Sequence, residues 1–260
     1  MGGLRATPPA LMAHIVFAIP CYFGLFTDDG RAHDQDFARS LADTLEVCCA
    51  EGHQVTVLTT QRSTYIQTAR NELVADFLQT DGDILFFIDD DLSWKPESAM
   101  RLIAMPDMIV AGLYRMKTAS EVYCGVLHTD PDGRPLVRPG DGAMAATAVP
   151  TGFLRIRRQA LEQMVTTYAD RAYSIMRGDE QVQVYDLFPQ GLKDGRWVGE
   201  DFAFCRLWTD ILGQLWVAPD LDLTHSDRVS GQTFAGNFHQ FMRRQPGGRD
   251  DPMRSADACQ

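Results

Sequence analysis

Ile84-Leu85-Phe86-Phe87-Ile88-Asp89-Asp90-Asp91 is the stretch on which the reading of this chain turns. Five apolar residues in unbroken succession have the length of a strand, and such a run suits a strand covered on both faces, as in a parallel sheet. The run ends abruptly in three carboxylates. In open α/β sheets, ligands bind in the crevice outside the carboxyl ends of the strands. Adjacent carboxylates repel one another unless water or a cation screens them. Oxygen ligands of this kind suit Mg²⁺ or Mn²⁺, which bind through one or two carboxylates plus substrate phosphates. In extended chain, residues two apart face one side. Asp89 and Asp91 can then converge on one ion while Asp90 points elsewhere. The competing reading is a solvated turn that ends a strand.

Upstream of this stretch, His14 to Pro20 reads as a first buried strand. Asp36 to Ala50 carries Phe37, Leu41, Leu45 and Cys48 at helical spacing, and Gly52 stops that helix. Gln54 to Thr60 alternates and is β-branched, the pattern of a second strand. Ser63 is placed to cap a helix whose apolar stripe is Ile66, Leu73, Val74, Phe77 and Leu78. Three strands separated by helices predict an α/β, Rossmann-like domain with a mostly parallel central sheet flanked by helices. Downstream, a helix is expected after Pro96 and a strand over Met108 to Leu113. The region 128–149 reads as a loop, and 170–197 as a polar, Gly-punctuated loop able to act as a lid. Phe202 to Leu212 reads as a helix ended by Gly213, and Leu215 to Val217 as a short strand.

The chain has 260 residues, 45% of them hydrophobic, enough for one sizeable core. Its formal net charge of -11 repels nucleic-acid phosphates at long range. No stretch approaches the roughly 18 to 20 apolar residues that span a bilayer. The six cysteines are scattered without a CxxC pair, which points to reduced thiols and a cytoplasmic setting rather than zinc or a disulfide scaffold.

A second acidic cluster, Gly199-Glu200-Asp201, opens a helix, where the dipole and capping favour carboxylates. Capping and catalysis both fit it. His225 follows a short strand and is a metal candidate only in the company of Asp91.

Taken in order, these pieces resemble the GT-A glycosyltransferases, especially the family 2-like proteins of bacteria and their phages. The resemblance covers residues 14–226. It rests on Ile19-Pro20-Cys21-Tyr22, Ala69-Arg70-Asn71, Asp89-Asp90-Asp91, Gly112-Leu113-Tyr114-Arg115, Thr151-Gly152-Phe153, Gly199-Glu200-Asp201-Phe202, and Trp216-Val217 with His225. It implies a single GT-A domain at 14–242, to which composition adds a flexible leader at 1–13 and a flexible tail at 243–260. Within the domain, 14–117 would be the nucleotide-sugar half and 118–242 the acceptor half.

The implied roles follow position. Pro20, Cys21 and Tyr22 would border the donor base, and Arg70 with Asp89, Asp90 and Asp91 would hold the donor. Asp91 and Asp89, completed by His225, would bind Mn²⁺ or Mg²⁺ on the diphosphate. Asp201, with Glu200 beside it, would act as base toward an acceptor hydroxyl. The donor would be a UDP-sugar, and the acceptor a glycan or a modified base in phage-type DNA. Cys21 and Tyr22 stand where many relatives carry Thr, Tyr and Asn. The alternative is phosphoryl transfer through Asp89 and Asp91. A haloacid-dehalogenase-type phosphatase also begins with Asp-x-Asp after a strand, but it predicts neither the Gly-Glu-Asp helix nor the late His. A nucleotidyltransferase would want a Gly-rich, basic loop near the first strand, which Gly24 and Gly30 with Arg31 match poorly.

Overall fold

The computed structural model describes residues 12–22, 24–25, 34–60, 63–244 and 253–254. The chain opens with strand β1 (His14–Pro20), helix α1 (Gln35–Ala50), strand β2 (Gln54–Thr60), helix α2 (Ile66–Gln79) and strand β3 (Ile84–Ile88). Strand β4 (Leu92–Trp94), helix α3 (Pro96–Ala104) and strand β5 (Ile109–Gly112) follow, then β6 (Tyr123–Cys124), β7 (Val126–Leu127), β8 (Met144–Ala148) and β9 (Phe153–Arg157). Helix α4 (Arg158–Thr167) precedes two hairpins, β10 (Ala172–Arg177) with β11 (Glu180–Tyr185) and β12 (Gly191–Lys193) with β13 (Arg196–Val198). Next come helix α5 (Glu200–Asp210), strands β14 (Leu215–Ala218), β15 (Asp222–Asp227) and β16 (Gln232–Asn237), helix α6 (Phe238–Arg244) and strand β17 (Met253–Arg254).

The central sheet has the order β2-β1-β3-β9-β5-β14-β8-β7. β1 runs parallel to β2 and β3, and β5 parallel to β14, whereas β9 and β8 run against their neighbours. Six of the eight strands therefore point the same way, as the sequence predicts. The unbroken apolar runs have a direct cause. Leu85 and Phe87 pack on one face with Leu73, Val74 and Phe77 of α2 and Phe204 of α5. Ile84, Phe86 and Ile88 pack on the other with Phe37 and Leu41 of α1 and Leu102 of α3. Every β3 side chain is buried, each burial contributing roughly 1.5–3 kcal/mol.

A smaller sheet, β16-β15-β4, stands beside the carboxyl edge of the large one. It matters because β4 begins directly after Asp91, and β15 pairs with it in the register His225↔Leu92.

Several expectations are corrected. Ser63 does not cap α2; its hydroxyl donates to the Tyr65 carbonyl, and Tyr65 occupies the cap position without a side-chain bond. The segment 170–197 is not an irregular loop but contains the two hairpins, and 128–149 contains β8 of the main sheet. The strand β9 went unread because Arg155 and Arg157 interrupt its apolar pattern. Arg155 is fully buried and spends its guanidinium on the carbonyls of Leu102 and Met105 at the end of α3. Cys124 is disulfide-bonded, against the expectation of six reduced thiols, while Cys21, Cys48, Cys49 and Cys205 are free. Most of the predicted leader lies outside the described residues. Inside the predicted tail, Arg243 and Arg244 close α6, and β17 pairs with β6. Among the described residues, no helix is long and apolar enough to cross a membrane.

Candidate active site

Because β9 is antiparallel to β3 in the register Ile88↔Phe153, its first residues lie at the carboxyl end of β3. The Asp89 amide donates to the Gly152 carbonyl at 2.9 Å. A side chain at position 152 would run into the Tyr114 hydroxyl and the Asp89 carboxylate. Gly152 is thus the gap through which strand end, tyrosine and carboxylate meet. Gly152→Ala is expected to displace Asp89 and Tyr114 and to cut activity about 100-fold, the scale of a misplacement of about 1 Å. A steady-state assay alongside a thermal melt would check it; full activity would show that the close approach is incidental.

Arg70 projects from α2 and is 2% exposed. It donates to Asp89 at 2.6 Å and to Glu200 at 2.7 Å. One guanidinium therefore joins the end of β3 to the start of α5, two acidic clusters far apart in the chain. A charge-assisted fork of this kind is both strong and directional. The Arg70 Nε is buried and has no hydrogen-bond partner among the described residues. Burial pushes the Asp89 carboxyl above its ordinary range, although Arg70 opposes the shift.

At the α5 end, Gly199 is the cap, and Glu200 and Asp201 fill the first turn. The Asp201 carboxylate accepts from the Phe202 amide at 2.7 Å. Burial, aided by the charge of Glu200, pushes its pKa up to about 7. A base poised near neutrality is what proton abstraction at physiological pH requires. Tyr114 lies at the end of the β5 segment, with its hydroxyl pushed well above its usual pKa by burial and by Asp89. Its ring meets that of His225 edge-on at 5.2 Å.

On the other flank, Asp91 contacts the Lys117 ammonium at 2.5 Å and the His225 Nε2 at 3.3 Å. Burial pushes Asp91 up, but the bonds and charges of His225 and Lys117 outweigh it and hold the carboxyl at about 2. The Asp91 carbonyl accepts from the Ser226 amide at 2.8 Å, which locks this end of the strand against β15. The other His225 nitrogen, Nδ1, sits 3.0 Å from the Arg115 carbonyl. A carbonyl can only accept, so Nδ1 donates to it, and Nε2 faces Asp91. Asp90 faces away and is held by Arg228 at 3.1 Å.

The structure thus brings Asp91 and His225 together, and Asp89 and Glu200 together through Arg70. The Asp89 carboxylate, expected on the metal beside Asp91, is engaged by Arg70. Among the described residues, no three His, Cys, Asp or Glu side chains form a metal-binding cluster. Pro20 ends β1 beside Thr60, and the buried Cys21 thiol donates to the Thr60 carbonyl at 3.1 Å. Tyr22 is half exposed. Sequence reasoning missed Tyr114, Lys117, Gly152 and Arg228 as site residues. Tyr114 and Gly152 were within reach, since both fall in motifs that carry the resemblance. Lys117 and Arg228 gave no local signal, because surface cations look alike until the fold places them.

No family model and no curated protein matches this chain. Among solved structures, GalNAc-T7 with UDP, GalNAc and Mn²⁺ aligns over 85% of this chain and 44% of its own, at 12% identity and a TM-score of 0.50. This chain therefore spans less than half the length of that protein. A197 from STIV aligns over 86% of this chain and 94% of its own at 17% identity, TM-score 0.47. The inositol-1-phosphate CTP transferase from T. maritima aligns over 86% and 93% at 8% identity, TM-score 0.44. Identities this low speak to architecture rather than chemistry. The sheet order, the acidic strand end and the likeness to GalNAc-T7 agree that this chain has a GT-A-like α/β fold.

Proposed function

We propose that this chain is a metal-dependent glycosyltransferase that moves a sugar from a nucleotide-sugar, a UDP-sugar in the first instance, to an acceptor hydroxyl. The observation that carries the reading is the Arg70 bridge, which assembles the Asp89 and Glu200 clusters into one site. The GT-A-like fold and the neighbouring structure that contains UDP and Mn²⁺ support it.

The residues present fit a divalent ion. Nε2 of His225 and the Asp91 carboxylate face each other at 3.3 Å, and two metal bonds of about 2.1 Å at roughly a right angle span about 3 Å. The remaining ligands would be diphosphate oxygens and water, the usual arrangement for Mg²⁺. A bound Mn²⁺ or Mg²⁺ would supply charge neutralisation to the departing nucleoside diphosphate.

Asp91 and His225 hold the ion in this reading, and Arg70 fixes Asp89 toward the ribose or sugar of the donor. Pro20, Cys21 and Tyr22 border the base, and Asp90 braces the strand end through Arg228. Asp201 takes the acceptor proton, with burial and the charge of Glu200 keeping its pKa near neutral. Residues 14–117 serve as the donor half and 118–242 as the acceptor half. The hairpin of β12 and β13 leads directly into Asp201 and presents Leu192 and Trp197, cross-strand partners that are both exposed, toward an acceptor.

Calorimetric titration of UDP with and without Mn²⁺, followed by a screen of nucleotide-sugars for slow donor hydrolysis, tests the proposal. Metal-dependent UDP binding with release of sugar from one donor is the expected result. Silence toward all nucleotides would overturn it, and phosphate release from p-nitrophenyl phosphate would favour phosphoryl transfer instead.

A further inference from the structure

Lys117 has no place in the roles assigned so far, yet it makes a close polar contact at the site. Its ammonium lies 2.5 Å from the Asp91 oxygen that His225 also approaches, while its side chain remains about a third exposed. The loop that carries it is braced. The Met116 amide donates to the Val122 carbonyl at 2.8 Å, and the Arg115 guanidinium donates to the Ala119 carbonyl at 2.9 Å. Arg115 also supplies the carbonyl that orients His225. One short segment therefore both aims the histidine and delivers a cation to the carboxylate beside it. A second cation, Arg228, leans on Asp90 in the same triplet.

Two cations cannot share one carboxylate oxygen without mutual repulsion. A divalent ion on Asp91 and His225 would have to displace the ammonium, and a lysine on a four-carbon stem can move where a braced backbone cannot. The anion nearest to hand would then be the diphosphate on the ion.

We propose that Lys117 is a resident counter-ion of the diphosphate site. It neutralises Asp91 when no divalent ion is present, and it turns onto the donor's diphosphate oxygens once Asp91 engages the ion. This rests on the metal-dependent reading above and adds a phosphate-contacting residue to it. Metal and nucleotide are thereby coupled through one side chain. The free protein binds the metal weakly because the ammonium competes for Asp91, whereas the donor complex binds it well because the ammonium has a new partner. Couplings of this kind commonly amount to about 5- to 150-fold.

The test compares wild type with Lys117→Met and Lys117→Arg, using Mn²⁺ alone and then UDP at saturating Mn²⁺. Electron spin resonance of free Mn²⁺ reads the first titration and calorimetry the second. Lys117→Met is expected to bind Mn²⁺ alone about tenfold more tightly than wild type, and UDP with Mn²⁺ about tenfold more weakly. Lys117→Arg is expected to stay near wild type for UDP. Thermal melting confirms that both variants fold, as their exposed position leads one to expect.

Unchanged or weakened Mn²⁺ binding by Lys117→Met would overturn the inference, and so would unchanged UDP binding. Those outcomes leave the glycosyltransferase reading standing if wild type still binds UDP with Mn²⁺. Failure of wild type to bind UDP at all strikes the broader reading, and the Mn²⁺ titration then still decides whether Lys117 competes for Asp91.

Discussion

Arg70→Met is expected to lower stability by about 3–5 kcal/mol and activity by about 10²- to 10³-fold. The stability loss follows from burial. Asp89 and Glu200 are mostly buried, and each gives an oxygen to this guanidinium. Removing it leaves two close carboxylates with no counter-charge, the situation in which breaking a buried pair is most costly. The pH dependence has a definite direction. Asp89 already sits above its ordinary range, and without Arg70 its pKa rises further. Protonation then relieves the repulsion, so the deficit of the variant should shrink as pH falls. Urea unfolding of wild type and variant at two pH values would measure this. Arg70→Lys should recover part of the stability but little of the activity, because an ammonium cannot reproduce the two-armed fork. Equal stability of Arg70→Met and wild type at neutral pH would remove the bridge from the argument.

Asp201→Asn is expected to reduce kcat by about 10²- to 10⁴-fold, the contribution usual for a general base. The same change should stabilise the protein above neutrality. Folding raises this carboxyl from 3.8 to about 7, so across that interval the native state holds a proton that the unfolded chain has already released. Stability therefore falls as pH climbs from about 4 to about 7, and the penalty persists at higher pH. The asparagine variant escapes it: its advantage should be absent near pH 4 and full near pH 8. In the wild type, activity should rise through about pH 7 as Asp201 loses its proton. A flat pH profile together with unchanged stability would show that Asp201 is only a first-turn carboxylate of α5.

Much of the fold could be read from the chain because its central strands are buried on both faces. Ile84 to Ile88 and His14 to Pro20 needed no alternation to be recognised. The misses have equally physical causes. Phe153–Arg157 hides a core strand behind Arg155, whose charge is satisfied by helix-end carbonyls that no local pattern reveals. The hairpin Ala172–Arg177 with Glu180–Tyr185 buries one face, with Val184 fully covered, but its short alternation of Val182 and Val184 with Gln181 and Gln183 sits in a polar, Gly-punctuated stretch. The hairpin Gly191–Lys193 with Arg196–Val198 is mostly solvated and carries no core-facing period. At the site, the acidic residues could be found because they stand next to strand and helix ends. Of their basic partners, Arg70 fell within a motif of the resemblance, but Lys117 and Arg228 could not be found, because they reach Asp91 and Asp90 across 26 and 138 residues.

The Arg70 bridge also bears on how the molecule comes into being. Its two arms differ greatly in reach, 19 residues to Asp89 and 130 to Glu200. During synthesis at roughly 5–20 residues per second, the first arm can close about 6 to 22 seconds before its second partner has been made. For that interval the nascent sheet carries a half-used guanidinium, and the late partner must be recruited by closing a very long loop. Contacts of such separation slow folding. The candidate site is thus among the last parts of the protein to mature, and refolding monitored at Trp208 in α5 should lag behind the formation of the first three strands.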